Sequence, residues 1–479
     1  MRRQKNRKPK QAATTQSMPE LQPDAAGVDI HPQSVYVGVP QNRASVTVRC
    51  FGTFTPDLIE LADWLAECKI RTVAMESTGV YWIPLFELLE ERGFEVLLVN
   101  AHHVKHVPGR KSDVVDSQWL QFLHAVGLLR GSYRPPKEIC AFRAIIRQRA
   151  MLLRCAASHV QHMQKSLSQM NLHLHHVVTD ITGVTGLAII KAILAGQHDP
   201  AALCKLRDRR IKATEAEVKK AMSGNYMPEH LFTLGQAFVT YCHYQTLITE
   251  CETEIERRLR GLAPMLPSQS EPTDTQPTDT QSADTKPVDT QSADSKRKRR
   301  HRQDSNVNFN LTSEYERVFG IDLTRIPGIN VGTVEVVLGE AGPTIPQVFR
   351  SSAAFASWGQ ACPQTNKSGG KDLPVKSKKG KPRLYTALRM AAVSLFRSQT
   401  SLGARFRRMV ARLGTPKALA AMAHLYFRII YHLLKTGQQY DESVYAELEK
   451  AYEDRRIKNL HKTAKQLGFR LTPLEEPAT

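Results

Sequence analysis

The sequence predicts an α/β domain followed by a mainly helical, all-α remainder, and three observations support this fold class. Residues 25–135 alternate short apolar runs with segments of helical spacing. Residues 139–262 carry apolar residues at helical spacing and show no convincing strand pattern. Residues 311–437 contain helices bounded by glycine and proline. The 479 residues are enough for two or three domains with cores of their own.

The first segment predicts three strands followed by alternating helices and strands. Strands are predicted within 25–40, where a turn at 31–34 separates two of them, and at 44–51, 70–76 and 94–99. Helices are predicted at 56–68, after Gly79 and from residue 113, with Ser112 as the N-cap. The order β-β-β-α-β-α-β-α is a ribonuclease H-like arrangement, a mixed sheet flanked by helices.

Four acidic residues occupy notable places in this arrangement. Asp29 lies in the middle of the first strand, Glu76 ends the fourth, and Asp113 and Asp116 share the first turn of the later helix. Each has an ordinary explanation by itself, since acids at a helix start are favoured by the helix dipole. In a ribonuclease H-like sheet, however, the two strand positions are adjacent and the helix packs across their edge. The four carboxylates can therefore converge.

Converging carboxylates repel one another unless a cation neutralises them. Their hard oxygen atoms suit Mg²⁺, with Mn²⁺ as a second possibility, rather than zinc. Two such ions roughly 3.5–4 Å apart are the arrangement for in-line attack at a phosphodiester. The sequence therefore predicts a metal site that acts on nucleic acid.

The charge balance supports a polyanionic partner. The chain carries 66 Lys and Arg against 46 Asp and Glu, a formal charge of +20. Such an excess indicates nucleic acid rather than a membrane surface. No run of 18 uncharged apolar residues occurs, and the closest, 418–434, is interrupted by charged residues and histidines. Residues 1–24 are predicted to be a disordered basic arm, because no apolar core of a signal peptide follows the basic residues.

The cysteines and histidines give no sequence signal for a zinc site. The eight cysteines include no C-x-x-C pair, which indicates reduced thiols in a cytoplasmic protein. Five histidines lie between residues 159 and 176 of the helical region, but no regular i, i+4 pair with a carboxylate accompanies them. We interpret them as solvated or facing nucleic acid. They are His159, His162, His173, His175 and His176.

A repeat interrupts the chain between the two helical regions. Residues 268–295 form a degenerate pentapeptide repeat with an aspartate in every unit, and 296–302 are a basic run. A five-residue period matches no packed helix or strand, and almost nothing apolar is available for a core. We therefore predict that 263–310 is a disordered insert.

The C-terminal region has two notable loops. Residues 326–332 form a glycine turn that is either an ordinary turn or a hairpin whose N–H groups meet a phosphate. Farther on, Ser368 precedes two glycines in a lysine-rich loop from 364 to 383. Such a loop can hold a phosphate beside an unencumbered hydroxyl, or simply contact DNA with an incidental serine. Composition alone favours the second. Ser352 is predicted to cap the helix 353–358, and Thr415 and Gly437 to bracket the last strong helix.

Two basic loops are the candidate nucleic-acid contacts, one before Asp113 and one around Ser368. The predicted contact residues are Lys105, Arg110, Lys111, Lys367, Lys371, Lys378, Lys379, Lys381 and Arg383.

Several motifs together resemble a known family. The N-terminal ones are G-V-D-I-H, M-E-S-T-G-V-Y-W and K-S-D-V-V-D-S-Q-W-L. The C-terminal ones are I-P-G-I-N, F-A-S-W-G-Q-A-C-P, K-S-G-G-K and K-K-G-K-P-R-L-Y-T-A-L. In this order they resemble the DEDD transposases of bacterial insertion sequences, the group that includes the Piv invertase. The resemblance covers roughly 25–135 and 323–435. The repeat insert, Asn330 and Lys381 depart from the family pattern.

The resemblance implies a domain plan and a set of roles. It implies a RuvC-like domain at 25–135 that binds metal through the four acids and a helical coiled coil at 139–262. It also implies a transposase domain at 311–437 with Ser368 as nucleophile, followed by a C-terminal tail at 438–479. Members assemble as homo-oligomers, here expected to be a dimer or tetramer, with composite sites between subunits. A bridge RNA pairs with donor and target DNA, so we expect the protein at the bacterial nucleoid.

Three functions compete at this point. The first is an RNA-guided enzyme that cuts and rejoins DNA. The second is a metal-dependent RuvC-like nuclease or junction resolvase without a serine-linked intermediate, and the third is a non-catalytic nucleic-acid-binding protein. Rejoining of strands without added ligase would separate the first from the second.

Overall fold

A computed structural model describes residues 19–77, 79–100, 113–264, 311–362, 366–368, 371–373 and 380–472. The chain divides into two compact units, Met1–Arg134 and Pro135–Thr479, called unit 1 and unit 2 below. The predicted arm at 1–24 lies almost entirely outside the described residues, as does nearly all of the insert at 263–310. The domain boundaries given above stay predictions.

Unit 1 contains the predicted mixture of strands and helices. The described strands are β1 (Ala25–Ile30), β2 (Val35–Gly38), β3 (Val48–Phe51), β4 (Thr72–Glu76) and β5 (Glu95–Val99). The described helices are α1 (Thr55–Glu67), α2 (Trp82–Glu91) and α3 (Asp113–Ala125). The predicted N-cap of α3, Ser112, lies outside the described residues.

The five described strands form one mixed sheet in the order β3-β2-β1-β4-β5. The first three strands run antiparallel to one another, whereas β4 lies parallel to both β1 and β5. The two antiparallel pairs need only short connections. Helices α1 and α2 occupy the connections that lead to β4 and β5, as parallel neighbours require. The mixed α/β prediction for this segment is confirmed.

The two faces of the sheet are covered differently. Even-numbered residues of β1, such as Val28, pack with Leu61 and Leu65 of α1 and Leu85 of α2 in one apolar core. Odd-numbered residues of β1 lie on the opposite face, because successive side chains alternate across a strand. That opposite face carries α3, which contacts β1, β2 and β4.

Two glycines let α3 rest directly on this face. A Cβ at Gly27 would lie within 3 Å of backbone atoms of Ser117, Leu120 and Gln121, and one at Gly38 about as close to Ser117. No side chain fits between the helix and these two strands. Ser117 is accordingly fully buried.

Unit 2 consists mainly of helices. In its first half the described helices are α4 (Lys137–Gln169), α5 (Leu174–Val177), α6 (Val184–Leu194), α7 (Pro200–Cys204), α8 (Glu215–Ala221) and α9 (Pro228–Gly261). In its second half they are α10 (Leu311–Phe319), α11 (Val331–Ala341), α12 (Ile345–Val348), α13 (Ser352–Trp358), α14 (Arg383–Val393), α15 (Ser401–Leu413), α16 (Thr415–Thr436) and α17 (Glu442–Gln466). Short 3-10 turns occur at Leu323–Arg325 and Ser394–Arg397.

The long helices α4 and α9 run antiparallel. Ser166, near the end of α4, lies 3.0 Å (Oγ to Oγ1) from Thr233, near the start of α9. Leu152, in the middle of α4, packs against Ile248, much later in α9. The predicted helical region at 139–262 therefore contains two long antiparallel helices with a smaller insert between them, while a coiled-coil supertwist stays a prediction. The insert α5–α8 has an apolar core continuous with the end of α4.

Helix α4 is tied to α11 by arginines. Arg149 donates two hydrogen bonds to the carboxylate of Glu335, at 2.8 and 2.6 Å. Arg143 donates to the carbonyl oxygen of Gly339 at 2.7 Å, and Arg147 to the carboxylate of Glu340 at 2.7 Å. The helical pair and the C-terminal helices are therefore joined by charge-assisted bonds within unit 2.

Some local predictions need correction. The cap of α13 is Ser351, whose Oγ accepts from Ala354 N at 3.1 Å, so Ser352 is the first helical residue. Helix α16 begins at Thr415, so its N-cap is Gly414 rather than the predicted Thr415. As predicted, the helix ends just before Gly437, which has a left-handed backbone conformation. The tail at 438–479 contains α17, which the apolar pattern did not reveal because its side chains are mostly exposed.

Two findings concern the whole described chain. All eight cysteines are free, in agreement with the prediction of reduced thiols. Among the described helices, none combines the length and the apolar character that crossing a bilayer requires.

Candidate functional site

Asp29 and Glu76 lie at the carboxyl ends of two neighbouring parallel strands. The register pairs Ala25 with Thr72 and continues to Val28 with Met75, and the same offset puts Asp29 opposite Glu76. Adjacent strands are about 4.8 Å apart. Asp29 is buried, with 7% of its surface exposed, and Glu76 is half-buried. The predicted adjacency of these two acids is therefore present in the sheet.

Helix α3 brings a third acid to this end of the sheet, because it runs antiparallel to β1. Its last residues lie beside the beginning of the strands, since Ala125 O accepts from Leu21 N at 2.8 Å and His124 Nε2 lies 2.8 Å from Thr72 Oγ1. Its first turn therefore points toward the strand ends. The exposed Asp116 is on that turn. Asp113 begins the helix, but its side chain lies outside the described part of the structure.

The acids are not gathered as tightly as ligands of a bound ion would be. Among the described side chains, those of Asp29, Glu76 and Asp116 do not form a group whose oxygen atoms all lie within 4.8 Å of one another. The structure thus places the three acids at one end of the sheet and does not bring them into one coordination sphere. The side chain of Asp113 lies outside the described part, and the metal-binding role of all four acids stays a prediction.

His31 is a member of this region that the sequence analysis did not assign. Its Nε2 lies 3.2 Å from Oδ2 of Asp29. His31 directly follows β1 and lies two positions after Asp29. Side chains two positions apart in an extended chain point the same way. The signal was present in the motif G-V-D-I-H, where an acid and a histidine stand at i and i+2. His31 partly balances the charge of Asp29 when it is protonated.

Exposed apolar residues flank the acidic end. Val80 and Tyr81, which follow Glu76 through a turn, expose 66% and 48% of their surface. Trp82 is anchored by its indole N–H, which donates to the carbonyl oxygen of Gly79 at 3.2 Å. The exposed ring of Tyr81 is suited to stacking on a nucleic-acid base.

Ser368 ends a short strand in unit 2. Strands β6 (Asn366–Ser368) and β7 (Lys371–Leu373) pair antiparallel, with Ser368 opposite Lys371. The predicted loop therefore contains two paired strands, and the two glycines between them lie outside the described residues. The strands escaped prediction because each has only three residues. The side chains of Ser368, Lys367 and Lys371 lie outside the described part.

Two of the predicted basic contacts can be described. Lys381 lies 5.1 Å (Nζ to ring centroid) from Tyr385 and 3.5 Å from the carbonyl oxygen of Gln360, and it is exposed. Arg383 is the exposed first residue of α14. Both can therefore reach a phosphate. Lys105, Arg110, Lys111, Lys378 and Lys379 lie outside the described residues.

The glycine turn at 326–332 is a packed element. Gly328 has a φ of +92°, and a Cβ there would clash with Ala391 and Tyr426. The Tyr426 hydroxyl donates to the carbonyl oxygen of Pro327 at 2.7 Å. Asn330 caps α11 through its side chain, which accepts from Thr333 N at 2.9 Å. The turn thus has a structural role at Gly328, whereas a Cβ at Gly332 would make only an ordinary contact, 3.6 Å from Oδ1 of Asn330.

Comparison with known families decides the identity. A family model described as Transposase, of the IS110 DEDD type, matches residues 26–172. A second model, described as Transposase IS116/IS110/IS902 family, matches residues 322–407. The chain belongs to this transposase family. The family was predicted from the motifs, and that prediction is confirmed. No curated protein matches the chain.

The two matches divide the candidate residues of the transposase. The first contains Asp29, Glu76, α3, all of α4 and the sheet except the first residue of β1, and the second contains the Gly328 turn and Ser368. The chain is thus an insertion-sequence transposase that acts on DNA, with acidic candidates in one matched segment and the serine candidate in the other.

Proposed function

We propose that this transposase cuts and rejoins DNA with a RuvC-like metal site in unit 1 and with Ser368 in unit 2 as nucleophile. The observation that carries the proposal is the direction of α3, which takes Asp116 to the end of the sheet where Asp29 and Glu76 lie. The strand order β3-β2-β1-β4-β5, with one antiparallel meander and two parallel strands, supports the ribonuclease H-like description of this unit.

The donor atoms at this end of the sheet fit a hard divalent cation. Two carboxylates on adjoining strands repel unless a positive charge lies between them, and Asp29 is nearly removed from solvent. Asp29, Glu76, Asp113 and Asp116 would hold Mg²⁺, for which Mn²⁺ can substitute. When bound, the ions polarise the phosphodiester and stabilise the charge of the attacking and leaving oxygen atoms.

Ser368 supplies the step that distinguishes recombination from hydrolysis. Its hydroxyl oxygen attacks the phosphorus, a serine–phosphate bond forms, and one sugar oxygen leaves and takes up a proton. The phosphodiester energy is retained in the protein–DNA bond, so a sugar hydroxyl of the other strand can attack and release Ser368. The hairpin supports this role, because it puts the serine at the end of a strand opposite Lys371.

The proposed partners follow from charge and from the family. The formal charge of +20 is suited to DNA together with a bridge RNA that pairs with donor and target. We further propose a dimer or tetramer in which unit 1 of one subunit and the serine hairpin of another complete a composite site.

The test is the Ser368→Ala variant in a recombination assay with purified protein, guide RNA, donor DNA and target DNA. We expect strand exchange and the covalent adduct on denaturing gels to disappear, while DNA and RNA binding persist. Ser377→Ala is the matched control, since this serine lies in the same loop without flanking glycines. An adduct that persists in Ser368→Ala, or disappears in Ser377→Ala, would disprove the assignment.

A second measurement separates the proposal from a plain nuclease or resolvase. The transposase should rejoin strands without added ligase, and it should retain its guide RNA better than random DNA of equal length as salt increases. Binding through 6–10 phosphates weakens about 10³–10⁵-fold between 50 and 200 mM salt. Equal retention of both nucleic acids, with cleavage and no rejoining, would favour the nuclease.

A further inference from the structure

Three histidines meet in the turn that follows α4. Each of His173, His175 and His176 offers one ring nitrogen that lies within 4.8 Å of those offered by the other two. The ring centroids of His175 and His176 are 4.3 Å apart, and those of His173 and His176 are 5.0 Å apart. The sequence analysis interpreted these residues as solvated or facing nucleic acid. Their convergence depends on the left-handed Asn171, with a φ of +56°, which turns the chain out of α4.

The tautomer of His173 is fixed by its neighbour. Its Nε2 lies 2.9 Å from Oδ1 of Asn171. A carbonyl oxygen only accepts, so Nε2 carries the proton and Nδ1 keeps its lone pair. Histidines that bind metals generally donate their other N–H to an oxygen in this way. His173 is further held by its backbone N–H, which donates to the carbonyl oxygen of Ala221 at 2.9 Å.

His175 has a buried nitrogen in need of a partner. Its Nδ1 is inaccessible to solvent and has no hydrogen bond among the described residues. Burying such an atom without a partner is costly, so native structures rarely tolerate it. Burial, together with His176 and His173, lowers the pKa of His175. The lowered pKa favours the neutral imidazole, which is the form that binds a metal ion.

The cluster is open to ions from solution. His173 and His176 line a cavity of about 1250 Å³ whose other walls include Asp180, Asp208 and Glu217. Water from this cavity can complete a four-coordinate ion. An ion bound here could therefore exchange water with the cavity on the side of His173 and His176. The Nδ1 of His175, by contrast, is shielded from solvent.

We propose that His173, His175 and His176 bind one Zn²⁺ ion. Imidazole nitrogen suits zinc, and Zn–N distances of about 2.0–2.1 Å place tetrahedral ligand atoms roughly 3.3 Å apart. Starting from separations of up to 4.8 Å, binding requires rotation of the stacked rings of His173 and His176. The site lies outside both segments that match family models, which end at 172 and begin at 322. It is independent of the proposed DNA chemistry.

The expected role is structural. The insert contains short helices, with α5, α7 and α8 having 4, 5 and 7 residues. Isolated helices of this length are not stable. An ion held by α5 and the residue before it would fix the turn that joins α4 to the insert.

The test is zinc binding to the full-length, tag-free transposase after treatment with a chelator. Excess Mg²⁺ is kept in every sample so that the acidic residues of unit 1 do not take up zinc. Equilibrium dialysis with metal analysis should give one tightly bound Zn²⁺ per chain, and Co²⁺ should produce the intense visible absorption of a tetrahedral nitrogen site. Zinc should also raise the melting temperature.

The variants are His175→Gln and, at the exposed position, His176→Gln. Each should weaken zinc binding at least about 10-fold and abolish the zinc-dependent rise in melting temperature. His159→Gln is the matched control, because His159 also has a buried unpartnered Nδ1 but belongs to no cluster of three ligand residues among the described residues, its rings of contact being His162 at 5.3 Å and Tyr244 at 5.5 Å between centroids. Circular dichroism establishes that each variant is folded. Less than one zinc per chain in the wild type, or equal affinity in His176→Gln and wild type, would overturn the proposal.

Discussion

Two buried carboxylates, one in each unit, lie beside different nitrogen-bearing side chains. Glu335 in unit 2 is 4% exposed and accepts two hydrogen bonds from the guanidinium of Arg149, at 2.8 and 2.6 Å. Asp29 in unit 1 is 7% exposed and lies 3.2 Å from the imidazole of His31. Arginine keeps its charge at every physiological pH, and its planar guanidinium matches a carboxylate.

This difference separates a structural acid from a candidate functional one. Burial raises the pKa of Glu335, and the adjacent Arg149 opposes that effect with a permanent charge. The pair therefore joins α4 to α11 and has no need of an ion from solution. Asp29 instead has a second carboxylate, Glu76, on the next strand, so a divalent cation can still reduce the repulsion between them.

The largest effect is expected at the acidic end of unit 1. Asp116→Asn, or Asp113→Asn, should reduce DNA cleavage by more than about 10²-fold, because losing even an outer-shell partner of a metal costs about 10–100-fold. The melting temperature should not fall, since one repelling charge is removed. Cleavage of labelled DNA and thermal unfolding measure the two effects.

The control for that prediction is Glu95→Gln, an exposed acid at the beginning of β5, at the other end of the sheet. It should cleave like the wild type. Wild-type cleavage that persists in EDTA would contradict the role assigned to the four acids.

In unit 2 the expected loss is one of stability. Arg149→Ala leaves Glu335 buried without its cation and should cost about 3–5 kcal/mol of unfolding free energy in urea. The double variant Arg149→Met with Glu335→Leu should recover much of the loss. Arg147→Ala, which removes a half-exposed partner of Glu340, should cost at most about 1 kcal/mol. Equal losses in the two alanine variants would remove the distinction between the two arginines.

A buried histidine in unit 1 should make stability depend on pH. Burial lowers the pKa of His124 to about 4 from its ordinary 6.5, and its Nε2 lies 2.8 Å from Thr72 Oγ1. The unfolded chain takes up the proton first, so stability is full above pH 6.5 and is lost as the pH falls toward 4. Between pH 7 and 5 the expected loss is about 2 kcal/mol. His124→Gln should flatten this part of the profile in urea unfolding, and an unchanged slope would rule out His124 as its source.

The smallest effect is expected from the aspartates of the repeat. Residues 268–294 lie outside the described part of the structure, and their composition predicts that they bury no core. Deleting Ser268 to Asp294 should leave the melting temperature within experimental error. A clear decrease in scanning calorimetry would mean that these acids, too, have a partner in the folded protein.

Periodicity explains why much of the fold was predictable. Alternating strands, the apolar stripes of α4 and α9, and the Thr415–Gly437 helix all leave regular patterns in the sequence. Helix α17 leaves no such pattern, because Val444, Ile457 and Leu460 are exposed rather than packed. The serine hairpin is too short for a pattern, and the choice between adjacent serines at a cap depends on backbone geometry.

The candidate site was predictable to a lesser degree. Strand order placed Asp29 beside Glu76, but the pairing of Asp29 with His31 required side-chain directions that the motif only hinted at. The histidine cluster required the conformation of one residue, Asn171, which no periodicity records. Sequence patterns thus locate elements, while contacts made across turns need coordinates.

The glycines beneath α3 have a consequence for how this protein tolerates change. With no side-chain layer between helix and strands, small rotamer adjustments cannot absorb an added methyl group at Gly27 or Gly38. Even alanine would push the helix off the sheet and displace the turn that carries Asp116. In a mutational scan, these two positions should therefore be as intolerant as the acids themselves, although neither contributes a functional group.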